Sequence, residues 1–384
     1  MPSLQYDLAN AFQDVFSDFQ EVKPRTLVLV GGPVLLVLIT VYRYFAAWYR
    51  LRHVPGPFVQ SWTSLVQVKK MWEGHAHLYY NGLAEKYGEP TKYVCLFTDA
   101  AMPTMMSIMV IPGLYKWFQR WPLSTLMPSS KDKSGFGCMI GFAEKFVDER
   151  LRPDAKPQRD IIQSFIKHGL DRDQLVQEIL IQILAGSDTT ATAIRMTLLF
   201  LITSPPALRA LLREIDDGVE SGRVSSPVTN AEAFAMPYLQ AVIHEGLRLY
   251  SPGVGPLYKQ VPKGGDTIHG YFLPEGTQVG QNMWGIQRRK DVFGEDADVF
   301  RPERWLEAEE GRLKAMKETV DLVFGYGKYQ CLGKQMAYME INKLLVELLR
   351  RYDFSLVDPV NPMHLRSATL WMTKNFWLKI TRRE

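Results

Sequence analysis

With 384 residues and 46% hydrophobic content, the chain has material for one large or two ordinary domains. Its net charge of +4, with 22% charged residues, argues against a basic nucleic-acid surface. Cysteines at 95, 138 and 331 share no paired spacing, so they point to a reducing compartment rather than a disulfide framework.

Residues 1–25 form a polar, mildly acidic tail. Thr26 to Tyr42 is a continuous uncharged run, followed by Arg43 and the aromatic group Tyr44, Phe45, Trp48 and Tyr49. A bilayer-spanning helix needs roughly 17–25 residues, so residues 26–45 are predicted to be a transmembrane anchor. A cleaved leader or a buried core helix is the competing reading. Arg50, Arg52 and His53 follow, which puts the remainder of the chain on the cytosolic side. Residues 46–57 read as a linker stiffened by Pro55-Gly56-Pro57, and 58–384 as the globular domain. Within it, helical patterns run over 61–87, 136–152, 171–203, 206–222, 230–236 and 238–250. Short strands and turns are predicted between Gly253 and Gln281. A further helix follows Cys331, and 365–384 alternates as a strand or hairpin. The predicted class is mainly α with a minor β-sheet.

Three stretches carry chemistry. Phe324-Gly-Tyr-Gly327-Lys328-Tyr329-Gln-Cys331-Leu-Gly333 places one thiol between glycines and before a helix. Glycine permits tight turns and close approach, and a helix start favours a thiolate. Such a thiolate can ligate a metal, including a haem iron; a buried structural cysteine is the plainer alternative. Ala185-Gly186-Ser187 places small residues inside the long helix, ahead of Asp188 and Thr189. An acid beside a hydroxyl can relay protons from water, whereas a packing crossing with the Thr bonded back to a carbonyl needs no such role. Glu245 and Arg248 share one helix face at i,i+3. Arg304, after Pro302-Glu303, is the natural third member of a buried ionic group.

Phe324-x-x-Gly-x-x-x-Cys331-x-Gly333 resembles the haem-binding signature of the cytochrome P-450 monooxygenases. Ala185-Gly-Ser-Asp188-Thr189-Thr190, Glu245-Gly-Leu-Arg248 and Phe300-Arg-Pro302-Glu-Arg304-Trp305 resemble other segments of the same family, in the same order. The wording around Cys331 further resembles a fungal pisatin-demethylase-like subgroup. The resemblance implies the cytochrome P-450 fold, preceded here by a transmembrane helix, and haem b with Cys331 as axial iron ligand. Phe324, Gly327, Lys328, Tyr329 and Gly333 would surround the cofactor. Asp188 and Thr189 would support O–O cleavage, and Glu245, Arg248 and Arg304 would hold the cysteine loop in place. It also implies electrons from NADPH through NADPH-cytochrome P-450 reductase, an endoplasmic reticulum membrane location, and an apolar small substrate. That substrate would be hydroxylated or O-dealkylated in fungal secondary metabolism. A haem-thiolate isomerase or dehydratase, or a haem-poor non-enzymatic copy, are the rival readings.

Three departures stand out. Tyr329 occupies a position where the family often has Arg or His reaching a haem propionate, which leaves Lys328 or Lys259 to supply the cation. Lys328 and Lys334 flank the loop as a solvated pair or as the contact for an acidic partner. The family's Trp-x-x-x-Arg clamp occurs only at Trp48–Arg52 and Trp284–Arg288, outside its usual place. The sheet and helices expected between Tyr87 and about Ile111 are missing, so the fold lacks part of its N-terminal half, incomplete between about 88 and 111. The chain is short by roughly a hundred residues for a one-domain member.

Overall fold

The computed structural model describes residues 51–57, 73–87, 129–132, 135–255, 257–367 and 370–383, with single positions between 38 and 70. The predicted anchor at 26–45 lies outside the described residues apart from a few helical positions, among them Leu38, Val41, Tyr42 and Phe45. The expected gap between about 88 and 111 lies outside them entirely. No single helix among the described residues is long and apolar enough to cross a membrane.

The first long helical pattern is broken earlier than its periodicity suggests. Gly74 takes φ +79°, and a Cβ there would meet Arg366 Cγ at 2.5 Å. His75 bridges Ser367 instead of continuing the helix, and α1 runs only from Ala76 to Tyr87. Next come α2 (Gly135–Arg150), α3 (Ile161–Lys167), α4 (Arg172–Thr203), α5 (Pro205–Glu220), α6 (Asn230–Phe234) and α7 (Pro237–Leu249). After β1 (Lys259–Gln260), β2 (Asp266–Ile268), β3 (Tyr271–Leu273) and β4 (Gln278–Val279) lie α8 (Met283–Ile286), α9 (Lys290–Phe293), α10 (Arg304–Glu307) and α11 (Glu310–Asp321). The chain closes with α12 (Lys334–Leu349), β5 (Tyr352–Leu356), β6 (His364–Ser367), β7 (Trp371–Lys374) and β8 (Leu378–Arg382). The mainly helical class with minor sheets is as predicted. Helices α3 and α11 and strand β5 were not legible as elements.

Helix α4 is the spine. It starts at a capping box in which the Asp171 carboxylate accepts from Gln174 N, while Gln174 Oε1 accepts from Asp171 N, both at 2.9 Å. It stops at Ser204, before Pro205-Pro206 open α5. The expected stripe is present in its N-terminal half: Leu175, Val176, Ile179 and Leu180 pack with Ala143, Val147 and Ile162, and Ile183 lies against that cluster. Its C-terminal half enters the main core, where Ala193, Leu198 and Leu201 meet Leu211, Ile215, Leu239, Val242, Ile243, Ile341 and Leu345. The crossing with α7 is close. A Cβ on Gly246 would fall 2.1 Å from Thr197 Oγ1.

The strands form two-stranded antiparallel ladders, β1 with β4, β2 with β3, β5 with β8 and β6 with β7. The terminal segment is therefore divided: β6 and β7 make the hairpin, while β8 returns to pair Tyr352 with Arg382 and Leu356 with Leu378. The predicted linker is not a free tether. Val54 is buried against Val261 and Leu273, Arg50 Nη2 donates to Glu275 O at 2.7 Å, and His53 Nε2 donates to Phe272 O at 2.8 Å. Helix α1 is fixed through His77, whose Nδ1 lies 2.7 Å from Ser367 Oγ. The His77 ring sits 4.5 Å from Trp284 and 4.6 Å from Trp371. Burial, helped by the nearby Arg288 charge, pushes the His77 imidazole down to about 4.

Candidate functional site

The cysteine loop is built from backbone. Helix α11 passes into a 3₁₀ turn at Leu322–Phe324, and Gly325 and Gly327 then take φ +73° and +61°. A Cβ on Gly325 would meet Tyr329 O at 2.7 Å, so that position requires glycine. The turn doubles back until Cys331 N donates to Phe324 O at 2.6 Å. Cys331 is a free, exposed thiol. It stands three residues before α12, whose N-terminal cap is Gly333 and has no capping side chain. A Cβ on Gly333 would lie 3.8 Å from Cys331 Sγ, an ordinary contact. Tyr329 is flanked by two cations: Lys259 Nζ is 5.4 Å and Lys328 Nζ 5.8 Å from its ring centroid. Lys334 does not share this environment, because its ammonium is paired with Asp321 at 3.0 Å. The expected solvated pair of Lys328 and Lys334 is thus divided between two surroundings.

Behind the loop, Glu245 is fully buried and receives five donors. Arg248 approaches with Nε and Nη2 at 2.9 and 2.8 Å, Arg304 Nε at 2.9 Å, Arg301 N at 2.9 Å and Trp305 Nε1 at 2.9 Å. Burial pushes the Glu245 carboxyl up. The Arg248 bonds and the charges of Arg248 and Arg304 outweigh burial and leave it below its ordinary value. The remaining donors of both arginines go mostly to carbonyls, Arg248 to Gln287 and Ala297, Arg304 to Phe293, Asp296 and Val299. The predicted trio is therefore brought together, and it is satisfied as a buried ionic group must be. Trp305 and the Arg301 backbone are members that sequence reasoning missed. The available signal was a large indole beside Arg304, since a buried Trp N–H requires an acceptor.

On α4 the helix is uninterrupted through Ala185–Thr189. Ser187 Oγ donates to Ile183 O and Thr189 Oγ1 to Ala185 O, each at 2.7 Å. Thr189 is partly buried and Asp188 exposed. In this arrangement the Thr189 proton is committed to the helix backbone, the pattern of a back-bonded residue. A Cβ on Gly186 would meet nothing within 4 Å, so no described neighbour requires glycine there. Neither Trp-x-x-x-Arg pair is available as a clamp. Arg288 lies 3.3 Å over Trp284, bonds Leu249 O at 2.8 Å and pairs with Asp298 at 3.1 Å. Arg52 lies over Tyr49 at 4.0 Å.

Among the described residues no group of three or more His, Cys, Asp or Glu side chains could hold a bare metal ion. A lone accessible thiol on a glycine-bent loop, with two ammonium groups beside it, suits instead a metal carried in an anionic macrocycle. The residues present on this side fit a haem.

The family model for cytochrome P450 matches residues 97–380. The chain is 49% identical to cytochrome P450 monooxygenase ABA1 of Pyricularia oryzae over 303 residues, covering 76% of this chain and 57% of that protein. It is 41% identical over 283 residues to cytochrome P450 monooxygenase aba1 of Botryotinia fuckeliana, covering 73% and 56%. With pisatin demethylase of Fusarium vanettenii it shares 34% identity over 278 residues, 69% of this chain and 52% of that protein. The chain thus spans little more than half the length of the curated relatives it matches, in keeping with the shortening read from the sequence. On the match across 97–380, and on a cysteine loop and buried Glu–Arg–Arg group at the motif positions, the chain belongs to the cytochrome P450 family.

Proposed function

We propose that the chain acts as a haem-thiolate monooxygenase that hydroxylates or O-dealkylates an apolar small molecule. Its electrons would come from NADPH through NADPH-cytochrome P-450 reductase. Segment 26–45 would hold it in the endoplasmic reticulum membrane, with residues 58–384 on the cytosolic side. The observation that carries this reading is the exposed Cys331 thiol on a loop bent by the left-handed Gly325 and Gly327, with the Cys331 amide donating to Phe324 O. Cys331 would ligate the haem iron, and Lys259, Lys328 and the Tyr329 hydroxyl would receive the haem carboxylates. Bound haem supplies the activation of dioxygen and the insertion of one oxygen atom into a C–H bond. The exposed Asp188 carboxylate would exchange protons with water, and Thr189 would donate once its hydroxyl leaves Ala185 O. The fungal relatives, one named a monooxygenase and one a demethylase, support the oxidative and dealkylating chemistry.

A second reading, a haem-poor non-enzymatic copy, is favoured by the 57% coverage of the Pyricularia oryzae relative. One experiment separates the two. Titrate the purified chain and Cys331→Ser with haemin, then record the reduced, carbon-monoxide-bound spectrum. The monooxygenase reading expects a thiolate-type Soret band in the parent chain and its loss in the variant. A thiolate-type band that survives in Cys331→Ser removes the ligand assignment. No haem-dependent spectrum in either chain favours the second reading.

A further inference from the structure

The loop from Tyr326 to Gly333 is exposed throughout; Phe324 is the one buried residue of the 324–333 stretch. Phe324 O also receives the Cys331 amide. What fixes Phe324 thus bears directly on Cys331, because the described side chains from 326 to 333 are exposed and only Tyr329, beside Lys259 and Lys328, has a ring contact. Two α12 residues at i,i+4 reach that ring. Lys334 Nζ stands 5.7 Å from its centroid, and the Tyr338 ring lies 5.2 Å away, tilted by 36°. Tyr338 in turn faces His244 at 6.3 Å, and His244 stacks on Trp305 at 5.0 Å and 30°. Trp305 Nε1 donates to Glu245. A continuous run of rings thus joins the Glu245 ionic group to the residue that holds the cysteine.

His244 is set in this run by its own backbone, with Nδ1 2.7 Å from Gln240 O, so Nδ1 carries the proton and donates. Burial, with Lys317 and Lys334 adding to it against Asp321 and the Gln240 bond, holds the imidazole below its ordinary value and keeps it uncharged between the two rings. Burial and the Asp321 charge push the Tyr338 phenol up, so it too stays neutral.

We propose that Tyr338, backed by His244, is a positioning residue for Cys331, acting through the Phe324 ring and its carbonyl. The proposal rests on Cys331 being the functional thiol, but its primary test needs no haem. In the full chain carrying Cys95→Ser and Cys138→Ser, hydrogen exchange is followed in the peptide containing the Cys331 amide and in peptides of α5. Tyr338→Leu is expected to speed exchange at Cys331 about tenfold while α5 is unchanged, and Tyr338→Phe, which keeps the ring, is expected to match the parent. Alkylation of Cys331 by iodoacetamide should change in Tyr338→Leu and not in Tyr338→Phe. Unchanged exchange at Cys331 in the leucine variant overturns the proposal. So does loosening of α5 to the same degree, or an equal effect in Tyr338→Phe. If Tyr338→Leu does not fold, His244→Gln decides: it removes the ring between Trp305 and Tyr338, and selective loosening at Cys331 is again expected, its absence again fatal. A thiolate-type spectrum surviving Cys331→Ser would sink the haem assignment while leaving the exchange result standing.

Discussion

At the scale of the residue, Glu245 shows why an ionic group can be buried here at all. Taking a carboxylate and two guanidinium groups out of water costs several kcal/mol per ion. That cost is offset only because every oxygen and nearly every N–H finds a partner, five of them on Glu245 itself. Truncating one member is therefore far worse than removing a surface pair. Glu245→Gln is expected to lower unfolding stability by about 3–5 kcal/mol, leaving Arg248 without a carboxylate and Arg304 with only that of Asp296. Denaturant unfolding against the parent chain measures it, and a change within about 0.5 kcal/mol, the range of a neutral surface substitution, would show the group to be solvated after all. Thr189 carries the opposite lesson. Its sequence setting suggested a proton relay, whereas its hydroxyl bonds Ala185 O, so a relay requires a rotamer change as well as a proton source.

At the scale of the element, periodicity made α4 and α7 readable. Asp171 and Gln174 form a reciprocal cap, and Leu175 and Ile179 keep one buried stripe. Gly74 ended the α1 pattern early because a backbone position needed φ +79° beside Arg366, which no period reveals. Strand β5 was not legible because its partner β8 lies across a hairpin of its own. Helix α11 escaped because it buries only Met316 and Val320, too few positions for a stripe. The α4–α7 crossing was equally hidden. Gly246 lies inside Glu-Gly-Leu-Arg, where the charged residues attract notice, yet it is the glycine that lets Thr197 approach. Gly246→Ala is expected to destabilise by about 1–3 kcal/mol through overpacking. Adding Thr197→Ala should recover most of the loss, since neighbouring substitutions couple. Equal stability of Gly246→Ala and the parent would mean the two helices separate at little cost.

At the scale of the whole molecule, the described core is strongest around α4, α5, α7 and α12, and the cysteine loop rests on it. For the haem proposed above, the question is what else would grip it. Of the two Trp-x-x-x-Arg pairs, one arginine is spent on Leu249 O and Asp298 and the other lies on Tyr49. The cations beside the loop are Lys259 and Lys328, point charges on flexible stems rather than a planar fork that meets a carboxylate with two bonds. A hydrogen bond to a charged group contributes about 1.5–3 kcal/mol, and each tenfold in affinity is about 1.4 kcal/mol. Loss of one arginine clamp therefore weakens haem binding by roughly one to two orders of magnitude. The 384-residue chain is accordingly expected to accept haem on its thiolate side and to surrender it readily. Mixing the haemin-loaded chain with excess apomyoglobin should transfer the haem within minutes, followed in the Soret region. Retention of one haem per chain through that challenge would mean that the loop, the two lysines and the described core suffice to hold the cofactor.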